Sequence, residues 1–166
     1  MGADELAPLH LRAFLVEHGI NANFVSPGAP VPTVPLAARA LSVPEDQILK
    51  TLVFVGDKDA FVVAIVNGTR RVDRSRLASA AAIRKPRPAT PDDVIAVTGF
   101  PAGGVAPVGL PASVPVIVDA ATASLEAGYG GGGHEQLLLR IRVSDVIRCN
   151  NALVADITEH SKRARR

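Results

Sequence analysis

Two stretches of this sequence have the make-up of a reaction site rather than of a packed core. In the first, Lys50 stands alone among apolar neighbours in Ile48-Leu49-Lys50-Thr51-Leu52-Val53-Phe54, a run with the alternation and β-branched content of a strand. A lysine there either lies on the solvent face or sets a cation at the sheet's edge of a cleft, where it can hold a phosphate or an ester oxygen. In the second, Val97 to Leu110 carries four glycines and two prolines in fourteen residues, with Thr98 as its one polar side chain. Glycine permits positive φ and close approach of another chain or a ligand, and proline fixes φ and removes an N–H. A pair of tight turns has this composition. So does a shaped loop that presents backbone amides, and the lack of charged side chains weakens the plain-turn reading without removing it.

The remaining reactive residues are sparse. His134 follows four glycines and is either an exposed bystander or, if its loop folds over the first, a contact or base for a bound amino acid. Cys149 is alone, which excludes an internal disulfide and a cysteine zinc cluster, and it reads as a small core residue. His10, His18 and His160 show no metal-ligand spacing. No Gly-x-Ser-x-Gly elbow, phosphate-binding loop or dinucleotide fingerprint is present. The sequence calls for no metal and no cofactor. If the chain is an enzyme, water or the substrate itself must attack.

The elements that would hold these residues are short and mixed. A helix is expected over Asp4 to His18, with Leu6, Leu9, Ala13 and Phe14 inward, and a strand over Ile20 to Val25. Ser26 to Pro35, with four prolines and a glycine, is an irregular loop able to lie across a cleft. A short helix is expected over Leu36 to Leu41. Leu49–Val55 and Ala60–Val66 form an antiparallel hairpin. Asp73 caps a helix reaching about Ala82, and Thr90-Pro91-Asp92-Asp93 opens another. Val114 to Asp119 is a strand placed near an edge by Pro115. Gly128 to His134 reads as a second glycine loop, Leu137 to Val143 as a strand, Ser144 as the cap of a short helix and Leu153 to Ile157 as a last strand.

The 166 residues suit one domain, with 48% apolar residues, 4% aromatics and no Trp. No apolar run is long enough to span a bilayer, and the acidic start is unlike a signal peptide, so a cytoplasmic protein is the expectation. Net charge is +2, but it is unevenly spread. Arg70, Arg71, Arg74, Arg76, Arg84, Lys85 and Arg87 face only Asp73 between positions 70 and 87. Lys162, Arg163, Arg165 and Arg166 add a basic tail at 161–166, expected to be disordered. Arg70, Arg71, Arg74, Arg84 and Lys85 are the candidate contacts for a polyanion, RNA above all.

Three segments together resemble the YbaK/prolyl-tRNA synthetase-associated editing family. They are Ile48-Leu49-Lys50-Thr51-Leu52; Thr98-Gly99-Phe100 running through Gly103-Gly104-Val105-Ala106-Pro107-Val108-Gly109; and the helix from Ser144-Asp145-Val146 through Ala155-Asp156-Ile157. The resemblance implies a single α+β domain over 1–160, with a mixed, partly closed, barrel-like sheet flanked by short helices. It implies trans-hydrolysis of the ester of misacylated tRNA carrying a small amino acid such as alanine or cysteine, on tRNA(Pro) above all, with prolyl-tRNA synthetase as a partner. Lys50, Gly103, Gly104 and Pro107 are the implied catalytic residues. Thr51, Thr98, Gly99, Val105, Ala106 and His134 are the implied substrate contacts. Many relatives carry Gly-x-Arg-Gly where this chain has Gly133-His134-Glu135-Gln136, which makes His134 the implied tuner of amino-acid size. Two other functions fit the residues: a non-catalytic module binding tRNA or a synthetase, and a small-molecule binder for amino acids or aminoacyl-adenylates.

Overall fold

Pro8 decides how the chain begins. In the computed structural model of the protein, which describes residues 2–160, Pro8 is the N-cap of α2 (Leu9–Glu17) and separates it from the single turn α1 (Ala3–Leu6). The one helix expected over Asp4–His18 is therefore two, because a proline inside a helix removes a backbone donor and clashes with the preceding turn. The inward face shifts as well. Leu11 and Leu15 are buried, whereas Leu9 is 75% exposed. Next come β1 (Asn23–Val25) and α3 (Val34–Leu41), whose N-cap Thr33 accepts a hydrogen bond from the Leu36 amide at 3.4 Å.

The centre of the fold is the expected hairpin, β2 (Leu49–Val55) and β3 (Phe61–Asn67), paired antiparallel over seven residues. Asp73 caps α4 (Arg74–Ala81) through the amides of Ser75 and Arg76. Thr90 caps α5 (Pro91–Thr98) by accepting from the Asp93 amide at 3.2 Å, after the two-residue β4 (Arg87–Pro88). The remaining elements are β5 (Val116–Asp119), α6 (Ala120–Ala123), β6 (Ala127–Gly131), β7 (Leu138–Arg142), α7 (Val143–Asn150) and β8 (Leu153–Ala155).

The fold is α+β, as the resemblance implies, but its strands form two open sheets rather than a partly closed barrel. One has the order β4-β2-β3-β5-β8 and the other β1-β7-β6. Among the described residues they join through a single bridge, Ile48 to Tyr129. Two expected local features also change. β5 is interior, paired in parallel with β3 and β8. Pro115 lies just before the paired residues, where its carbonyl accepts from the Val63 amide at 2.9 Å and no ladder donor is lost. The second glycine loop is largely strand β6. A Cβ at Gly128 would fall 2.7 Å from Leu49, and one at Gly130 3.0 Å from the Pro107 ring. These glycines let a strand lie close against what it crosses.

Strand alternation divides the core across β2. Leu49 and Val53 join the cluster between the sheets with Val63, Ile65, Phe100 and Ile141. Leu52 and Phe54 face α4 with Val66, Leu77 and Ile157. Lys50 therefore shares the α4 side and Thr51 the inter-sheet side.

Candidate active site

β2 is covered unevenly along its outer edge. β4 pairs with Phe54 and Val55 alone, and Ile48 is bridged to Tyr129. Among the described residues, the edge from Lys50 to Leu52 has no strand partner. A cavity of about 240 Å³ opens there, walled by Lys50, Thr51 and Leu52, by Val31 to Val34, and by Ala102, Gly103, Val105 and Gly131. Lys50 and Thr51 point to opposite faces of the strand, yet both border the cavity because it wraps the open edge. The proline-rich segment supplies the expected wall across the cleft.

The Lys50 ammonium donates a 2.8 Å hydrogen bond to the Arg70 carbonyl. Burial pushes its pKa below the usual lysine range, and the Arg71 guanidinium lowers it further. The Thr51 hydroxyl oxygen is enclosed and has no hydrogen-bond partner among the described residues. A buried polar atom left unpaired costs on the order of 1–3 kcal/mol, so this hydroxyl is an unmet hydrogen-bonding group beside the cavity.

The glycine loop separates residues that face the cavity from residues that hold the loop in place. The Gly104 amide donates to the Pro101 carbonyl at 2.9 Å, and the Gly104 carbonyl accepts from the Gly133 amide at 2.8 Å. Both polar groups of Gly104 are thus used within the protein. A Cβ on Gly104 would fall 2.7–3.0 Å from the His134 backbone. Its φ is not positive, so close approach, not backbone conformation, is what demands glycine there. Gly103 is different. A Cβ there would meet nothing nearer than Glu135 Cβ at 3.8 Å. Among the described residues, the amides of Gly103, Val105 and Ala106 have no hydrogen-bond partner.

Several expected contacts prove to be supports. The Thr98 hydroxyl is buried, donates to the Val94 carbonyl at 2.7 Å and accepts from the Phe100 amide at 3.1 Å, so it closes the end of α5. Gly99, at φ +77°, is the left-handed cap of that helix. Ala106 is wholly buried in the inter-sheet core. The Pro107 ring lies against Gly130, and its carbonyl accepts from Asn150 Nδ2 at 2.7 Å. His134 Nδ1 accepts from the Gln136 amide at 3.0 Å, and the backbone of His134 buttresses Gly104. None of these five lines the cavity. Asn150, which ties Pro107 to α7, has no sequence signature because its partner is a carbonyl 43 residues away.

The basic segment is also divided. Arg70 and Arg71 flank Lys50, and Arg74 begins α4. The Arg84 carbonyl accepts from the Asp57 amide at the hairpin turn. Arg84 and the adjoining Lys85 therefore sit at the far end of β2, roughly 17 Å along the strand from Lys50 at about 3.3 Å per residue. That distance removes them from the rim of the cavity. Arg76 is paired with Asp73 and Asp156 at 3.7 and 3.3 Å. The expected basic tail lies outside the described residues. Among those residues, no helix is long and apolar enough to cross a membrane, and no group of three metal-ligating side chains comes together.

With this geometry in place, comparison with known proteins is direct. The aminoacyl-tRNA editing domain model matches residues 28–149. EbsC of Enterococcus faecalis (strain ATCC 700802 / V583), named as a candidate Cys-tRNA(Pro)/Cys-tRNA(Cys) deacylase, is 28% identical over 121 residues, 73% of this chain and 74% of that protein. A crystal structure described as a candidate trans-editing enzyme for prolyl tRNA synthetase is 30% identical, with a TM-score of 0.81, over 92% of this chain and 99% of that one. The proline–tRNA ligase of Streptococcus thermophilus (strain ATCC BAA-491 / LMD-9) is 39% identical over 82 residues, 49% of this chain but 13% of the ligase. The matched span holds Lys50, Thr51 and the whole Gly103–Pro107 loop, and the chain belongs to the aminoacyl-tRNA editing domain family.

Proposed function

We propose that this chain is a trans-editing aminoacyl-tRNA deacylase, with residues 1–160 acting as one editing domain. It removes a small amino acid, alanine or cysteine, from tRNA(Pro) mischarged by prolyl-tRNA synthetase. The observation that carries this reading is that Lys50, whose ammonium is held by the Arg70 carbonyl, lines one small cavity together with Thr51 and with Gly103 and Val105, whose amides have no partner among the described residues. The wall of that cavity has no carboxylate, histidine or cysteine, and we assign water as the nucleophile.

In the step this supports, the water oxygen bonds to the ester carbonyl carbon and charge develops on the carbonyl oxygen. The Gly103 and Val105 amides stabilise that charge, an effect of about 10²- to 10³-fold per donor in comparable sites. Collapse breaks the bond to the ribose oxygen, which leaves with a proton that originates from the attacking water. Lys50 holds the ribose or phosphate end of the terminal adenosine, and Thr51 pairs with the substrate's α-ammonium group. With cysteine, the substrate thiol can attack the same carbonyl carbon in place of water, its proton passing to the departing ribose oxygen and the amino acid leaving as a cyclic thioester.

Thr51→Val separates this role from packing. Removing an unpaired buried hydroxyl leaves the melting temperature unchanged or slightly raised, while deacylation falls about tenfold, near 1.4 kcal/mol of barrier. Wild-type turnover in a stable Thr51→Val protein would take Thr51 out of substrate contact.

The RNA contacts are assigned to Arg70 and Arg71, which border a separate surface pocket beside Lys50. Each alanine substitution there should reduce the slope of log affinity against log salt by about one, whereas Arg84→Ala should leave the slope nearly intact. Binding titrations at several salt concentrations read both. A panel of mischarged tRNAs tests the function itself: faster ester loss than in buffer from alanyl- or cysteinyl-tRNA(Pro) is expected. Tight binding with every ester intact would make the chain a non-catalytic module. Salt-independent binding of free amino acid would make it a small-molecule binder.

A further inference from the structure

The segment 156–160 follows the last strand and lies beyond residue 149, where the family match ends. It packs against the turn that holds Lys50. Val72 and Thr158 form an antiparallel bridge. The Asp73 amide donates to the Ile157 carbonyl at 2.8 Å, and the Glu159 amide to the Arg71 carbonyl at 2.8 Å. Beneath this strap lies Asp119, 1% exposed at the end of β5. Its Oδ1 accepts from the Ile157 amide at 3.0 Å and from the Thr158 hydroxyl at 3.3 Å. The Thr158 oxygen in turn accepts from Arg70 Nη1 at 3.3 Å. Arg70 is the residue whose carbonyl receives the Lys50 ammonium.

We infer that this C-terminal strap is a positioning element of the Lys50 site: Thr158, seated on the buried Asp119 carboxylate, fixes the Arg70–Asp73 segment so that the Arg70 carbonyl stays against the Lys50 ammonium. The inference rests on the deacylase reading for what Lys50 does, and on the bonds above for how it is held. An ammonium has three donors. Committing one to a fixed carbonyl orients the other two toward substrate. Thr158 is fully buried, and its hydroxyl is used twice, once as donor and once as acceptor. Loss of that single oxygen disconnects the Arg70 guanidinium from Asp119 and leaves the segment held by backbone bonds alone. The charged group that acts on Lys50 is the Arg71 guanidinium, with Glu159 3.9 Å from Arg71, and the Arg70 guanidinium turned to Thr158 with Asp119 behind it.

The test uses the full chain, with Thr158→Val, Thr158→Ser and, as a stability control remote from Lys50, Leu15→Ala. Thr158→Val should lower kcat/KM about tenfold, as expected when a group that holds the substrate is misplaced. It should also move the alkaline limb of the pH–rate profile to lower pH, because the ammonium loses the acceptor that favours its charged form. Thr158→Ser should restore both quantities. Leu15→Ala should lower the melting temperature while retaining kcat/KM per folded molecule. Wild-type kcat/KM and an unmoved alkaline limb in Thr158→Val would overturn the inference and leave the strap a purely structural tie. If the wild-type chain deacylates no tRNA, the functional reading fails separately. The strap is then tested by NMR titration of Lys50 Nζ, whose pKa should fall in Thr158→Val and hold in Thr158→Ser, and an unchanged value in Thr158→Val overturns the inference.

Discussion

Lys50→Ala should abolish deacylation, by about 100-fold or more, a barrier increase near 2.7 kcal/mol, while the protein stays folded. The asymmetry follows from where the residue sits. It lines a cavity at a stretch of β2 left without an outer strand, and among the described residues its ammonium's hydrogen-bond partner is the Arg70 carbonyl. Truncation removes one hydrogen bond from a half-buried cation, worth about 1 kcal/mol after the relief of burying the charge. Cross-strand pairing with β3 continues unchanged, since it uses backbone alone. Because burial and Arg71 both lower the Lys50 pKa, wild-type activity should decline on the alkaline side as the ammonium loses its proton, at a pH below that of an exposed lysine. Lys50→Arg tests the charge against the shape. It retains the cation and removes the lowered pKa, so any residual activity should lose that alkaline limb. Lys50→Ala with wild-type turnover and an unchanged melting temperature would return Lys50 to an ordinary solvated face.

The second large effect distinguishes two adjacent glycines. Gly104→Ala should destabilise the protein by about 1–3 kcal/mol, the usual range for a group forced into filled space, because its Cβ would meet the His134 backbone at 2.7–3.0 Å. Rigid backbone surrounds it there, with no flexible side-chain end to give way. Its activity should fall too, since the Gly133–Gly104 hydrogen bond that joins the two glycine segments must lengthen. Gly103→Ala should do the reverse: its methyl meets no atom within 3.8 Å of the folded chain, so the melting temperature should hold. Because that methyl stands at the wall of the cavity beside an unpaired amide, turnover should drop about tenfold or more. Thermal denaturation and deacylation measured on both variants decide the matter. A Gly103→Ala protein with full turnover would leave the loop without a role in the reaction.

Local chemistry made much of this protein readable from the sequence. The hairpin around Lys50, the Asp73 and Thr90 caps and the isolation of Lys50 among apolar residues depend on neighbours within a few positions, where period and capping rules apply. The glycine loop was legible as a loop, and so was the proline-rich wall. Tertiary structure decided which members of the loop face the cavity. Gly103 and Gly104 are identical in sequence, but one meets open space and the other the backbone of His134, thirty positions away. Thr98 and Thr51 are likewise the same residue type, yet Thr98 is satisfied by its own helix end and Thr51 is left unpaired. The glycines of β6 gave a loop signal because their reason, close crossing over Leu49 and Pro107, lies in residues distant along the chain. The run of arginines read as one basic region, and the fold set its two ends at opposite ends of β2. Residue types and short spacings determined the elements and the kind of chemistry available; which atoms remain unpaired, and therefore free to meet a substrate, is settled only when distant segments have taken up one another's donors and acceptors.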